Sequence, residues 1–308
     1  MTEYLPEGFL ICREENARRV RSAEELRGCI GTGEILEAPC VICDSRHNLI
    51  VDLGCMRGII PREEGALGIR EGTTKDIALI SRVNKPVCFT VTDVTEDEYA
   101  APVAILSRRA AQEQCMNDYI SGLRAGDVIP ARVTHLEHFG AFVDIGCGIP
   151  SLIPIDLISV SRISHPADRF RVGQDIFAAV RSIEGERVCL SHKELLGTWQ
   201  ENADMFEAGE TVTGVVRSVE DYGIFVELAP NLAGLAEPRE GVYVGNTASV
   251  YIKAIIPEKM KIKLIIVSAS ENTYCDNELH YFISSGHIDR WLYSGDECEK
   301  RIESVFGD

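Results

Sequence analysis

Two short segments hold the chemistry available to this chain: Phe139-Gly140-Ala141-Phe142-Val143 and Tyr222-Gly223-Ile224-Phe225-Val226. Two rings flanking a glycine on a short strand, with no catalytic constellation beside them, make a surface that stacks flat rings. Nucleic-acid bases are the natural flat rings. Strand alternation sends positions three apart to opposite faces. A bulge at Gly140 or Gly223 is therefore expected to bring each pair to one surface; without it, one ring of each pair is core.

Other chemistries find little footing. The sequence has no Walker loop, no Gly-x-Ser-x-Gly elbow and no clustered catalytic carboxylates, so an enzyme is not expected. Cys40-Val41-Ile42-Cys43 supplies two of the four ligands of a structural zinc site, with Cys55 and His47 as further candidates. It lies in an apolar, strand-like run where cysteine packs as a small hydrophobe. His135 and His138 form a pair without the carboxylate arrangement of a metalloenzyme. Neither metal nor cofactor is expected.

The elements that position the rings belong to a repeat. With the two segments aligned, Gly126-Asp127-Val128 falls on Gly209-Glu210-Thr211, giving a period of roughly eighty residues. A degenerate earlier copy is visible too. Val51-Asp52-Leu53-Gly54-Cys55 matches Val143-Asp144-Ile145-Gly146-Cys147, and Ala104-Ile105-Leu106-Ser107 matches Val188-Cys189-Leu190-Ser191. In that copy the ring positions are His47 and Ile50, with Asn48 at the glycine, so the turn survives on a residue that tolerates positive φ while the stacking surface is lost. The reading divides the chain into a lead (1–27), a degenerate unit (28–108), a helical linker (109–125), a second unit (126–193), a second linker (194–208), a third unit (209–268) and a tail (269–308). Arg18 to Arg27 reads as one short helix. Short Val/Ile/Phe runs separated by Gly, Pro, Asp and Asn favour small closed barrels over a βαβ sheet.

Of the 308 residues, Lys and Arg number 31 against 48 Asp and Glu, a net charge of −17 that opposes a nucleic-acid partner. The acidity is uneven. The units at 126–193 and 209–268 each carry −1, whereas 28–108 carries −4 and 269–308 carries −6. Cations that could reach phosphate are Arg162, His165, Arg169, Arg171 and Arg187 in the second unit, and Arg217, Lys253, Lys259, Lys261 and Lys263 in the third. No apolar run approaches the ~18 residues of a membrane span. With no secretory pattern at Met1 to Phe9, the eleven cysteines are expected as reduced thiols in a cytoplasmic protein. The tail holds Tyr274, Leu279, Tyr281, Phe282, Trp291 and Tyr293, too apolar for a disordered composition, and either docks on the third unit or binds a partner.

The segments Phe139 to Asp144, Ser161-Arg162-Ile163-Ser164-His165-Pro166, Phe170-Arg171-Val172-Gly173-Gln174, Leu190 to Gly197 and Asp221 to Leu228 resemble the ribosomal protein S-one family. The likeness is specific over 126–240, looser over 28–108 and absent from the lead and the tail. It implies a mainly β fold of tandem five-stranded OB barrels joined by short helices, here a three-unit relative. It implies non-catalytic binding of single-stranded RNA, as mRNA at the small ribosomal subunit, without a DNA duplex or a membrane. The resemblance also places a cation beside the binding face at Arg187 and Lys261. The chain departs from the family's Gly-Leu-Val-His-Ile-Ser segment, where the histidine position is Pro61, Pro154 and Glu237 in the three units. The site expected is Phe139, Phe142, Arg162, His165, Arg171, Arg187, Arg217, Tyr222, Phe225, Lys253 and Lys261. The competing reading is a scaffold whose barrels dock on the ribosome or another protein and barely touch RNA. Residues 126–268 are expected to carry the RNA affinity, and residues 1–125 little of it.

Overall fold

The computed structural model describes residues 4–185, 187–271, 279–295, 298 and 301–307. Fifteen of its strands form three closed five-stranded barrels. The first contains β1 (Leu36–Cys43), β2 (Leu49–Asp52), β3 (Arg57–Ile60), β4 (Lys85–Glu96) and β5 (Pro102–Ser107). The second contains β6 (Val128–Glu137), β7 (Gly140–Asp144), β8 (Pro150–Pro154), β9 (Asp175–Glu184) and β10 (Arg187–Ser191). The third contains β11 (Thr211–Glu220), β12 (Gly223–Ala229), β13 (Leu232–Ala236), β14 (Thr247–Ile256) and β15 (Lys261–Ser270). All three share one order: the first three strands pair in sequence, the fifth joins the third, and the fourth closes the ring. In each, the third and fifth strands run parallel. The expected mainly β fold of tandem barrels is the one found.

Alternation builds each barrel. In β6, Ile129, Ala131 and Val133 are buried while the intervening residues are not, and in β15 Ile262, Leu264 and Ile266 do the same between exposed Lys261, Lys263 and Ile265. Closure leaves none of these short strands with an unpaired edge.

Chain contacts divide the molecule into two compact units, one comprising 1–123, 130–132 and 144–150, the other 124–129, 133–143 and 151–308. In the first unit the lead is two helices, α1 (Glu14–Arg21) and α2 (Ala23–Gly28), not one. Ser22 lies extended between them and caps α2 by accepting the Glu25 N–H. Glu7 is buried under the guanidinium of Arg108 at 2.6 Å and of Arg82 at 3.1 Å, and its own N–H donates to Asp144 at 2.7 Å. Arg108 opens α3 (Arg108–Asp118), which Ser107 caps and which buries Ala111, Gln112 and Cys115 at helical spacing.

In the second unit the tail is part of the core. Ile288, Trp291, Tyr293 and Phe306 share one apolar cluster with Val216, Leu232, Ala179 and Leu195. β16 (Arg290–Leu292) and β17 (Glu303–Val305) form a hairpin, and the Tyr293 hydroxyl donates to the Asn231 carbonyl at 2.5 Å. Tyr281 packs edge-on to Phe177 with ring centres 5.4 Å apart. Of the tail aromatics, Tyr274 lies outside the described residues. A chain cut at 268 loses these members of the apolar cluster.

Candidate nucleic-acid interface

Both ring pairs sit at the same place in their barrels. Phe139 and Tyr222 occupy two-residue turns, between β6 and β7 and between β11 and β12. A turn residue escapes strand alternation, so its ring folds onto the outward side of the next strand. Phe142 projects there between fully buried Ala141 and Val143, and Phe225 between fully buried Ile224 and Val226. Ring centres are 5.9 Å apart at 89° in the first pair and 6.2 Å apart at 85° in the second. Phe139 is 56% exposed and Tyr222 69%. None of the four rings is core, and each pair offers base-sized apolar area to solvent.

In the third barrel the device is not the expected bulge at glycine. Glu220 pairs with Gly223, Val219 with Ile224 and Ser218 with Phe225 in regular register; the irregularity lies earlier, at Arg217. Glycine is needed for close approach. A Cβ on Gly140 would lie 2.5 Å from the Ile153 carbonyl oxygen, and one on Gly223 would lie 2.7 Å from that of Ala236. These are the same place in the two barrels, which explains the repeated aromatic-Gly signature.

Imidazoles surround the second barrel's pair. His135 stacks at 6.4 Å from Phe142, and His138 meets His165 edge-on at 4.7 Å. His165 Nδ1 accepts the Ala167 N–H at 3.0 Å, which places the proton of the neutral ring on Nε2. In the sequence His135 and His138 were legible only as a failed metal pair; the signal for their place beside the rings was their position on the strand and turn leading to Phe139. In the third barrel a cross-strand row runs Ser218, Phe225, Leu235, Lys263. Lys263 thus lies in the same row as Phe225, and Lys261 one pleat away on the same exposed face. The corresponding row of the second barrel contains Leu152, Cys189 and Ser182, with Arg187 one pleat from Cys189.

The remaining expected cations divide. Arg162 and Arg171 are exposed on the loop between β8 and β9, and Lys253 is exposed on β14. Arg217 is committed elsewhere: its guanidinium grips Glu227 at 3.0 and 3.1 Å and lies 3.4 Å from Asp168. Buried Arg169 binds the same Glu227 carboxylate. These two arginines belong to an interior ionic cluster rather than to the exposed surface.

In the first barrel the left-handed residue is His47, at φ 62°, and not Asn48. Asn48 instead accepts the Arg62 N–H and donates to Asp44. Ile50 takes the place of Phe142, so this face has no stacked pair. Pro61 and Pro154 each open a single helical turn and offer no hydrogen-bond donor; Glu237 is exposed after β13. Among the described residues, no three His, Cys, Asp or Glu side chains are arranged to hold a metal. The Cys40 thiol is buried, and burial pushes it up to about 11.

Residues 123–193 match the S1 RNA binding domain. The small ribosomal subunit protein bS1 of Staphylococcus haemolyticus is 31% identical over 278 residues, covering 84% of this chain and 68% of that protein. The protein of the same name from Leuconostoc lactis is 30% identical over 295 residues, covering 90% of this chain and 66% of its own. The chain thus spans about two thirds of the length of these relatives. Among solved structures, a multidomain protein with nucleic acid binding domains from Streptococcus pneumoniae aligns over 77% of this chain and 74% of its own, at 12% identity and a TM-score of 0.26. With this identity and coverage against the staphylococcal protein, three barrels in series and the ring pair within the matched segment, the chain belongs to the bS1 family of small ribosomal subunit proteins.

Proposed function

We propose that this protein binds single-stranded RNA, mRNA in association with the small ribosomal subunit, in the cytoplasm and without catalysis. The observation that carries the reading is the duplicated turn-and-strand ring pair, exposed at equivalent places in the second and third barrels. Bases stack on Phe139 and Phe142 in one barrel and on Tyr222 and Phe225 in the other. Phosphates are met by Arg162, Arg171 and Arg187 beside the first pair and by Lys253, Lys261 and Lys263 beside the second. Stacking is sequence-tolerant because every base has a π-face, so broad sequence use is expected.

The test is titration of the full chain with a fluorescent 12-nucleotide uridine RNA at 50 and 200 mM salt. Binding that weakens with salt and survives a change to adenosine supports the reading. No binding at either salt favours the scaffold alternative, which the absence of a ring pair on the first barrel also supports.

A further inference from the structure

The first barrel keeps the face that carries rings in its two companions, but with a different surface. Ile42 on β1 pairs with Ile50 on β2, Ile50 with Ile59 on β3, and Ile59 with Ile105 on β5. This aliphatic row occupies the place of Ser218, Phe225, Leu235 and Lys263 in the third barrel. It faces outward, because the flanking residues Leu49, Val51, Ile60, Ala104 and Leu106 are fully buried, while Ile42 is 53% exposed and the other three isoleucines are half-buried. The next partner beyond Ile105 is Asp93, exposed on β4.

This chemistry suits polypeptide better than nucleic acid. The row has no ring to stack a base and no cation to meet phosphate. Arg57 and Arg62 nearby lie against Asp97 and Asp76. The surrounding segment 28–108 carries −4, so it attracts a basic partner. A closed barrel offers no free strand edge, which excludes strand addition and leaves side-chain docking. Four side chains on adjacent strands at about 4.8 Å spacing span roughly 14 Å. An amphipathic helix presents one apolar anchor per turn of 5.4 Å, so about three turns, roughly ten residues, cover the row. We propose that the first barrel has exchanged its nucleic-acid face for a docking face that takes a basic, amphipathic helix of a protein partner along Ile42, Ile50, Ile59 and Ile105.

The proposal goes beyond RNA binding by the other barrels and is tested separately, on the full chain. The probe is a labelled 14-residue peptide of leucine and lysine at helical period, with a leucine–glutamate counterpart as control. The expected result is saturable binding of the lysine peptide only, weakened at least tenfold by Ile42→Ser and also by Ile50→Thr, and unchanged by Tyr99→Ser, which alters an exposed ring off the row. Ile42 is more than half exposed, so its serine variant keeps the thermal transition, and circular dichroism checks this. RNA affinity stays unchanged in Ile42→Ser. Three results overturn the proposal: equal peptide affinity in wild type and both isoleucine variants; loss of RNA affinity in Ile42→Ser, which makes the row a nucleic-acid face; and self-association of the wild type abolished by Ile42→Ser, which makes the occupant a second copy.

Discussion

Replacing Phe142 and Phe225 together by alanine separates stacking from folding. Both rings project outward from strands whose inward neighbours are fully buried, so truncation opens no cavity in either barrel. What is lost in the free protein is one edge-on ring contact per barrel, about 0.5–1.5 kcal/mol each. For units of this size, 1 kcal/mol corresponds to roughly 2–4 °C in the thermal midpoint. What is lost in the complex is one stacked base per barrel, about 1–3 kcal/mol each. Because 1.4 kcal/mol is a factor of ten, the double variant binds uridine RNA at least about tenfold more weakly while its midpoint falls only slightly. The assay is fluorescence anisotropy at several salt concentrations beside a thermal melt of the same sample. No lysine or arginine is removed, so the slope of log affinity against log salt is expected to match wild type. Unchanged affinity refutes the stacking surface. Unfolding refutes the claim that these rings lie outside the core, and a changed salt slope places the loss among phosphate contacts instead.

Removing the Glu227 carboxylate as Glu227→Ala leaves Arg169 buried without its counter-charge and costs about 3–5 kcal/mol in urea unfolding; a loss below about 1 kcal/mol contradicts a buried ionic cluster. His192 is buried, with Nδ1 donating to the Ile158 carbonyl and Nε2 accepting the Tyr281 hydroxyl, and burial lowers its pKa from 6.5 to about 4. The unfolded chain therefore binds this proton more readily, and stability falls between pH 6.5 and 4 by about 3 kcal/mol at most. Comparing His192→Gln with wild type at pH 7.5 and 4.5 isolates that contribution, and equal acid sensitivity in both excludes it. The purified chain is expected to contain no stoichiometric zinc and to unfold at the same midpoint with or without chelator, whereas one equivalent by elemental analysis overturns that reading of Cys40 and Cys43.

How far the sequence leads depends on whether a feature is local or assembled. The barrels were legible because alternation within ten residues sets strand faces, as in β6 and β15, and because the Gly140 and Gly223 signatures repeat. That the rings of a pair share a surface was legible too, but the device was not: the first ring sits in a turn, and the need for glycine comes from the Ile153 and Ala236 carbonyls on the following strands, a contact made only when the strands pair. Arg217 looked like a surface cation because its partners, Glu227 and Asp168, are ten and forty-nine residues away. The tail left two alternatives open for the same reason: no local pattern says that Trp291 and Phe306 complete a cluster containing Val216 and Leu195.

That shared cluster has a consequence for how the molecule is made. A ribosome releases the chain from its N-terminal end, and all five strands of the third barrel are synthesised before Ile288. Yet Ile288, Trp291, Tyr293 and Phe306 are structural members of the same apolar interior, and Tyr281 covers Phe177 of the barrel before it. The emerging polypeptide must therefore hold finished strands with an unfinished interior, exposing apolar surface while about forty more residues are added at roughly 5–20 per second. For those few seconds the second unit is a candidate for chaperone capture. The emergence of Phe306, rather than closure of the last barrel, marks the moment at which folding can be completed.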